Sequence, residues 1–330
     1  MKAGRDMTLD ALKGGLMILI ILGHMLEYNL GSILNHIAFN YIYLFHVPLF
    51  VLISGYFSKR EPWKVFVWKT VSLAETYIAV QVLLLLTAFL FQGRWLRMTD
   101  LIIPNAAAWY ILSLLFWRFF LRLLPETVLE KHLLIGFALL VSLLSGFIPI
   151  EKAFSFQRTL AFLPFFLVGY KMKQSGRMYG YVPTKWLAVV ILVLPLVALT
   201  IIGKRNISSV VYGLYTYYDK AFHPVVMMVF RGCFLLLSFL MGRSLIAVMP
   251  KVKKEGIITG IGTFSLLYYS YHLVFQRMLI IPVRHFHLPL NFPAMLFYVF
   301  IVIGIIMLLC RMTWFRKSLN PISSVLAGMR

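Results

Sequence analysis

Apolar runs close to 20 residues long recur from one end of this 330-residue chain to the other. A bilayer core is about 30 Å thick and takes ~20 helical residues to cross. A backbone inside it must satisfy its own hydrogen bonds, which leaves helices or closed barrels. Runs of this length are too long for barrel strands, so the chain reads as an all-α integral membrane protein. Composition agrees: 61% of the residues are hydrophobic and 13% are charged. An average soluble domain is about half apolar and a quarter charged, so such a chain can cover a lipid-facing surface but not a water-facing one.

The runs resolve into a bundle of about ten transmembrane helices, near 9–30, 37–57, 67–91, 106–123, 132–148, 158–174, 185–203, 223–247, 257–281 and 293–313. Breakers fall in the gaps: Arg60-Glu61-Pro62, Pro104-Asn105, Pro125-Glu126, Ser145-Gly146, Ser175-Gly176, Gly203-Lys204 and Pro289. The net charge of +21 arrives in short bursts between the runs, such as Lys59, Arg60 and Lys64 or Lys251, Lys253 and Lys254. That is the positive-inside pattern, with anionic membrane lipids as partner and no nucleic acid. With the N-terminus cytoplasmic, 21 of the 32 Lys and Arg residues fall inside and 9 outside, while Lys13 and Arg277 lie within spans. An odd number of spans spoils this asymmetry, so both termini are expected in the cytoplasm of a multi-pass protein of the plasma (inner) membrane.

No internal repeat, low-complexity tract or appended soluble domain interrupts residues 1–330, which read as one transmembrane domain. The first run exceeds signal-peptide length and lacks a small-x-small cleavage site, so it is expected to stay as a span. Cys233 and Cys310 are 77 residues apart in apolar runs, which supports neither a disulfide framework nor a metal site. The longest outer loop, about 204–222, carries Tyr212, Tyr215, Tyr217 and Tyr218 beside Asp219 and Lys220. An interfacial aromatic belt and a sugar-facing lid both account for it.

The first span is the informative one. Lys13 and His24 are 11 residues apart, a rotation of about 1100°, roughly 20° beyond three full turns, so they share a face about 16 Å apart along the axis. Asp10 precedes Lys13 by one turn; Glu27 and Tyr28 follow His24 by one turn. A charge turned to the bilayer centre costs roughly 2.5–3.5 kcal/mol on insertion scales, so this face should meet the bundle interior or a wet cavity. Lys13 could instead snorkel to the cytoplasmic headgroups, and Glu27 and Tyr28 could sit in the outer ones. His24 is too deep for that.

Other polar groups fall at the same depth. His46 opens the stretch Phe45-His46-Val47-Pro48-Leu49-Phe50, followed by Ser54-Gly55-Tyr56. Proline frees a backbone carbonyl and the small pair admits a close neighbour. Trp109 and Tyr110 begin the fourth span, where a belt role is the plain alternative. Arg158 begins the sixth, before Leu163-Pro164-Phe165-Phe166 and Gly169-Tyr170, and could anchor to headgroups. His272 lies in Tyr268-Tyr269-Ser270-Tyr271-His272 of the ninth. By the assigned topology, His24, His46, Trp109, Arg158 and His272 all lie toward the outer side and Lys13 near the cytoplasm. An enzyme site explains this convergence, and so does the substrate path of a transporter or flippase for a polysaccharide or lipid-linked intermediate. Transporters often show paired halves, absent here; a bis-histidine haem protein is a third reading.

Lys13-x10-His24, preceded by Arg5 and Leu9-Asp10, resembles the Arg/Lys-x10-His signature of the membrane acyltransferase-three family. The His46 segment through Ser54-Gly55-Tyr56 resembles that family's second-span motif, and the Arg158–Tyr170 stretch and Tyr271-His272 match in kind and order. The likeness covers nearly the whole chain. The Ser-Gly-Tyr-Phe-Ser-Lys ending of the second motif is most similar to the branch named for fucose 4-O-acetylase and intercellular-adhesin O-succinyltransferase. The resemblance implies an acyl-CoA-dependent O-acyltransferase. It would move an acetyl or other short acyl group from cytoplasmic acyl-CoA to a hydroxyl of a cell-surface glycan or lipid-linked sugar, with no bound cofactor or metal. Larger relatives carry an extracytoplasmic hydrolase-like domain; residues 1–330 show none, so the membrane domain is expected to hand the acyl group directly to its acceptor.

Acyl transfer needs a base for the attacking hydroxyl and a partner for the tetrahedral oxyanion. His24 is the candidate base, with Glu27 to orient it; His46 is a further catalytic candidate. Lys13, beside Asp10, would meet the phosphates of coenzyme A. Lysine stands where many relatives have arginine, so a bidentate phosphate grip is lost. Arg158, Trp109, Tyr110 and His272 would bind the acceptor or the oxyanion. Direct attack and a covalent acyl-histidine relay both fit these residues.

Overall fold

A computed structural model describes residues 6–129, 133–149, 153–180, 182–203, 216–218 and 222–319. Arg5, Tyr212, Tyr215, Asp219 and Lys220 lie outside the described residues. Among those described, the regular structure is entirely helical. The main helices are α1 (Met7–Leu26), α2 (Ile33–Tyr43), α3 (His46–Phe57), α4 (Trp63–Gln92), α5 (Ala108–Leu123) and α6 (Leu133–Leu144). They continue with α7 (Phe156–Gln174), α8 (Lys185–Ile202), α9 (Pro224–Val248), α10 (Ile257–Thr263), α11 (Ser265–His285) and α12 (Phe292–Leu309).

Among the described residues, six stretches are long and apolar enough to cross a membrane: Met7–Asn29, Ile33–Phe57, Trp63–Gln92, Lys185–Ile202, Pro224–Val248 and Phe292–Leu309. Leu133–Phe147 is apolar but shorter. The expected fourth span is a 16-residue helix, α5. The sixth, α7, is 19 residues long and carries Arg158, Lys171 and Lys173. The ninth is broken at Phe264 into α10 and α11.

The chain divides into two compact units, each assembled from separate stretches. The first comprises Met1–Phe50, Tyr179–Asn206 and Leu237–Thr313; the second comprises Val51–Met178, Ile207–Leu236 and Trp314–Arg330.

The first unit is organised around α1, which packs on α2, α10, α11 and α12. Leu9, Leu16, Met17, Ile21, Met25 and Leu26 are each fully buried, as expected of a helix enclosed by four others. Asp6 caps its N-terminus, its Oδ1 accepting from Thr8 N at 3.0 Å and Leu9 N at 3.1 Å. The contact with α10 is backbone on backbone. A Cβ on Gly14 would stand 1.9 Å from the Ile258 carbonyl oxygen, and one on Gly262 would stand 1.8 Å from the Asp10 carbonyl oxygen. Only glycine allows this approach. By contrast α8 buries only Ala188, Pro195 and Leu199, and its remaining apolar surface suits lipid.

The expected second span is bent into α2 and α3 at Leu44-Phe45. Pro48 has no N–H to give the Leu44 carbonyl; that oxygen accepts instead from Ser238 Oγ at 2.5 Å. The proline therefore shapes the entry to His46 without leaving a buried acceptor unmet.

In the second unit, α4 presents Ile78, Val82, Leu86 and Leu90 at four-residue spacing, 49–60% exposed, a lipid-facing stripe. Its opposite face buries Gln81, whose Nε2 donates to the Asp100 carbonyl at 2.9 Å. The close contact expected at Gly55 is present. A Cβ there would meet the Phe166 carbonyl oxygen of α7 at 1.9 Å, and one on Gly169 would meet that of Leu52 at 1.8 Å. No disulfide joins the cysteines; Cys233 is exposed and Cys310 buried.

Gly14→Ala should lower the thermal stability of the purified protein by the equivalent of about 1–3 kcal/mol, an overpacking cost. Gly15→Ala, whose Cβ would meet nothing within 4 Å, should leave the melting temperature level or slightly raised. Melting both variants in the same detergent is the check.

Candidate active site

At its cytoplasmic end by the expected topology, α1 carries Lys13 Nζ 2.7 Å from Asp10 Oδ1. Asp10 is buried, and the Lys13 side chain is 19% exposed, so the pair is held against protein rather than extended into headgroups. Thr8 Oγ1 accepts from Val252 N at 3.0 Å. This bond ties the backbone of the basic stretch Lys251–Lys254 to the first turn of α1.

About 16 Å along the helix, His24 heads a second cluster. Its Nδ1 lies 3.4 Å from Glu27 Oε2 and 3.4 Å from the Tyr43 oxygen. The Tyr43 hydroxyl donates to Glu27 Oε1 at 2.8 Å. Having given its proton to the carboxylate, that oxygen is an acceptor. Nδ1 therefore faces two acceptors and carries the proton, which leaves the His24 Nε2 lone pair as the basic atom. Glu27 lies one turn from His24, as the spacing predicts, and its carboxylate turns to His24 and Tyr43.

His46 and His272 complete the group. The His46 ring packs 4.6 Å from that of Tyr43, and its Nδ1–H donates to the Ile42 carbonyl at 2.7 Å. His46 thus buttresses Tyr43 from within the core. His272 is 0% exposed, and its ring centre lies 5.3 Å from that of His24. Its Nδ1–H donates to the carbonyls of Tyr269 at 2.7 Å and Tyr268 at 3.1 Å. The Nε2 that remains is an acceptor, suited to a hydroxyl and not to an oxyanion, which needs a donor.

The second unit brings together Arg158, Trp109 and Tyr110. The Arg158 guanidinium lies 4.7 Å over the Trp109 ring, a cation–π contact. The Tyr110 hydroxyl bonds Ser54 Oγ. Trp109 and Tyr110 are both buried, whereas a belt residue faces the headgroups. The turn entering α7 holds Phe154 and Ser155 at φ 49° and 59°, left-handed values that cost non-glycine residues energy. Arg231, buried in the same unit, donates to the Ser142 carbonyl and Ser145 Oγ at 3.1 and 3.0 Å and lies 4.7 Å over Tyr217. Tyr217 is thereby tied into the protein; Tyr218 is exposed.

Sequence reasoning missed Tyr43, Gln276 and Arg231. Tyr43 sits among apolar and aromatic residues at ordinary spacing, and nothing local distinguishes it. Gln276 had a signal, as an uncharged polar residue one turn after His272 in an apolar run. Among the described residues no group of three or more His, Cys, Asp or Glu side chains is placed to hold a metal ion.

The model of a family described as an acyltransferase domain, the acyltransferase-three family, matches residues 8–311. The chain belongs to this family. Both the Lys13–His24 face and the Arg158–Trp109 pair fall within the matched region. The Nodulation protein NolL of Sinorhizobium fredii (strain NBRC 101917 / NGR234) is 45% identical over 58 residues, 16% of each chain. The Nodulation protein NolL of Mesorhizobium japonicum (strain LMG 29417 / CECT 9101 / MAFF 303099) matches to the same extent. The chain thus aligns with only about a sixth of the length of these curated relatives. No solved structure matches it.

With His24 as a base for acyl transfer, the chemistry named for this family, Glu27→Gln should reduce turnover at least tenfold by loosening the His24 tautomer, and Tyr43→Phe should reduce it severalfold. Initial rates in membranes matched for protein amount are the check.

Proposed function

We propose that this acyltransferase moves a short acyl group, acetyl in the simplest case, from cytoplasmic acyl-CoA to a hydroxyl of a cell-surface glycan or lipid-linked sugar. The observation that carries the reading is the pairing on one helix of a cation near the start and an oriented histidine three turns later. Coenzyme A needs that combination: charge for its phosphates, and a base where its thioester ends. The ten-span topology, with both ends cytoplasmic in the plasma membrane, puts the cation on the side where acyl-CoA resides. The resemblance to the fucose 4-O-acetylase and adhesin O-succinyltransferase branch points to a sugar as acceptor.

Lys13 holds the phosphates, and Asp10 keeps the Lys13 ammonium in place. The pantetheine arm follows α1 and brings the thioester carbonyl to His24. The attacking hydroxyl of the acceptor gives its proton to His24 Nε2 as its oxygen bonds to the carbonyl carbon, while a second hydroxyl of the acceptor donates to the His272 Nε2 lone pair. The tetrahedral intermediate collapses with cleavage of the carbon–sulfur bond. The proton passes from His24 to the departing thiolate, so the products are an ester and the free thiol of coenzyme A. Glu27 and Tyr43 hold the imidazole orientation through both proton transfers, and His46 supports Tyr43. Arg158, Trp109 and Tyr110 bind the acceptor sugar, whose apolar face suits an aromatic ring.

Transfer from labelled acetyl-CoA into surface glycans tests the assignment. His24→Ala at normal protein levels should lose about 10²–10⁴-fold in turnover; wild-type turnover would remove His24 as the base. Lys13→Ala should raise the Michaelis constant for acetyl-CoA more than it lowers turnover, and an unchanged constant would argue against phosphate contact.

A further inference from the structure

Two acceptor atoms of α11 lie buried with no hydrogen-bond donor reaching them among the described residues: His272 Nε2 and Gln276 Oε1. Both residues are 0% exposed, and four-residue spacing puts them on one face of the helix. That face meets α1. His272 stands against His24, and Gln276 Nε2 donates to the Ile21 carbonyl at 2.6 Å. The bond fixes the amide and leaves Oε1 as an acceptor level with Ile21, between Lys13 and His24. Buried acceptors are almost always met, so this one calls for a donor from a bound ligand.

We propose that Gln276 Oε1 accepts the N–H of the amide nearest the thioester in the pantetheine arm of acyl-CoA. The proposal rests on the donor assignment above and adds a specific point of recognition to it. Extended chain advances roughly 1.2 Å per bond. Three bonds separate the thioester sulfur from that amide nitrogen, roughly 4 Å; Ile21 lies three residues before His24, about 4.5 Å along the axis. Ten bonds separate the same nitrogen from the first phosphorus, roughly 12 Å; Lys13 lies eight residues before Ile21, again about 12 Å. With the thioester at His24 and the phosphate at Lys13, the amide therefore arrives level with Gln276. A hydroxyl ligand would satisfy the same acceptor but has no reason to match both intervals.

Gln276 is accordingly a binding residue for the donor, which sets where the thioester stops relative to His24. The test compares the affinity of the purified protein in lipid nanodiscs for acetyl-CoA and for its analogue with that amide N–H replaced by an ester oxygen. Wild type should bind the analogue about tenfold more weakly, the scale of one buried hydrogen bond. Gln276→Leu should bind acetyl-CoA about tenfold more weakly and no longer distinguish the two ligands, with a larger change in Michaelis constant than in turnover. Equal binding of both ligands by wild type overturns the amide contact and leaves the acyl-CoA donor standing. Binding of neither removes the donor assignment and this proposal together. A preference that persists in Gln276→Leu overturns the role of Gln276. The wild-type comparison needs no variant, so it decides even if the leucine protein fails to fold.

Discussion

The first unit depends on two glycines that let two helix backbones touch. Gly14 of α1 meets Ile258 of α10, and Gly262 of α10 meets Asp10 of α1, at distances that exclude any side chain. Between helices in a membrane there is little hydrophobic drive, since lipid is as apolar as leucine; close packing and polar contacts take its place. This contact fixes the start of α1 beside Asp10 and Lys13. The helix breaks two residues after Gly262, at Phe264, and α11 then packs against α1 and brings His272 and Gln276 to it. The proposed chemistry inherits its spacing from that junction.

On this frame the polar groups serve one another in sequence. Glu27 and Tyr43 settle which nitrogen of His24 is basic, His46 holds Tyr43, and backbone carbonyls settle the tautomer of His272. Each imidazole has one nitrogen committed to an orienting partner. For His24 and His272 the other is left for a ligand, an arrangement also seen in enzymes that use histidine as a base. Such an arrangement is costly to bury unless each group is met, and the two acceptors left over on α11 point to what completes it.

The helical membrane class was legible because apolar run length depends on little but the bilayer. The shared face of Lys13 and His24 was legible from helical periodicity, and Gly55 from its small size beside Ser54. The bend at Leu44-Phe45 was only half legible: Pro48 announced a freed carbonyl, but the Ser238 hydroxyl that meets it lies far along the chain. Tyr43 and Arg231 escaped for the same reason, since their partners are distant in sequence and their local surroundings ordinary. The break at Phe264 has no proline to mark it, and it arises where α10 is drawn against α1. Family membership was legible from several short motifs in order, since each span carries its own short pattern and their sequence together is specific.

The central claim is that acyl-CoA lies along the polar face of α1. Photocrosslinking with a short-chain acyl-CoA that carries a diazirine in the acyl group, followed by peptide mass spectrometry, reads this directly. Labelling is expected on α1 near His24 and on α11 near His272, suppressed by excess acetyl-CoA and weakened in Lys13→Ala. Competable labelling confined to other helices, with α1 and α11 unmodified, would contradict it.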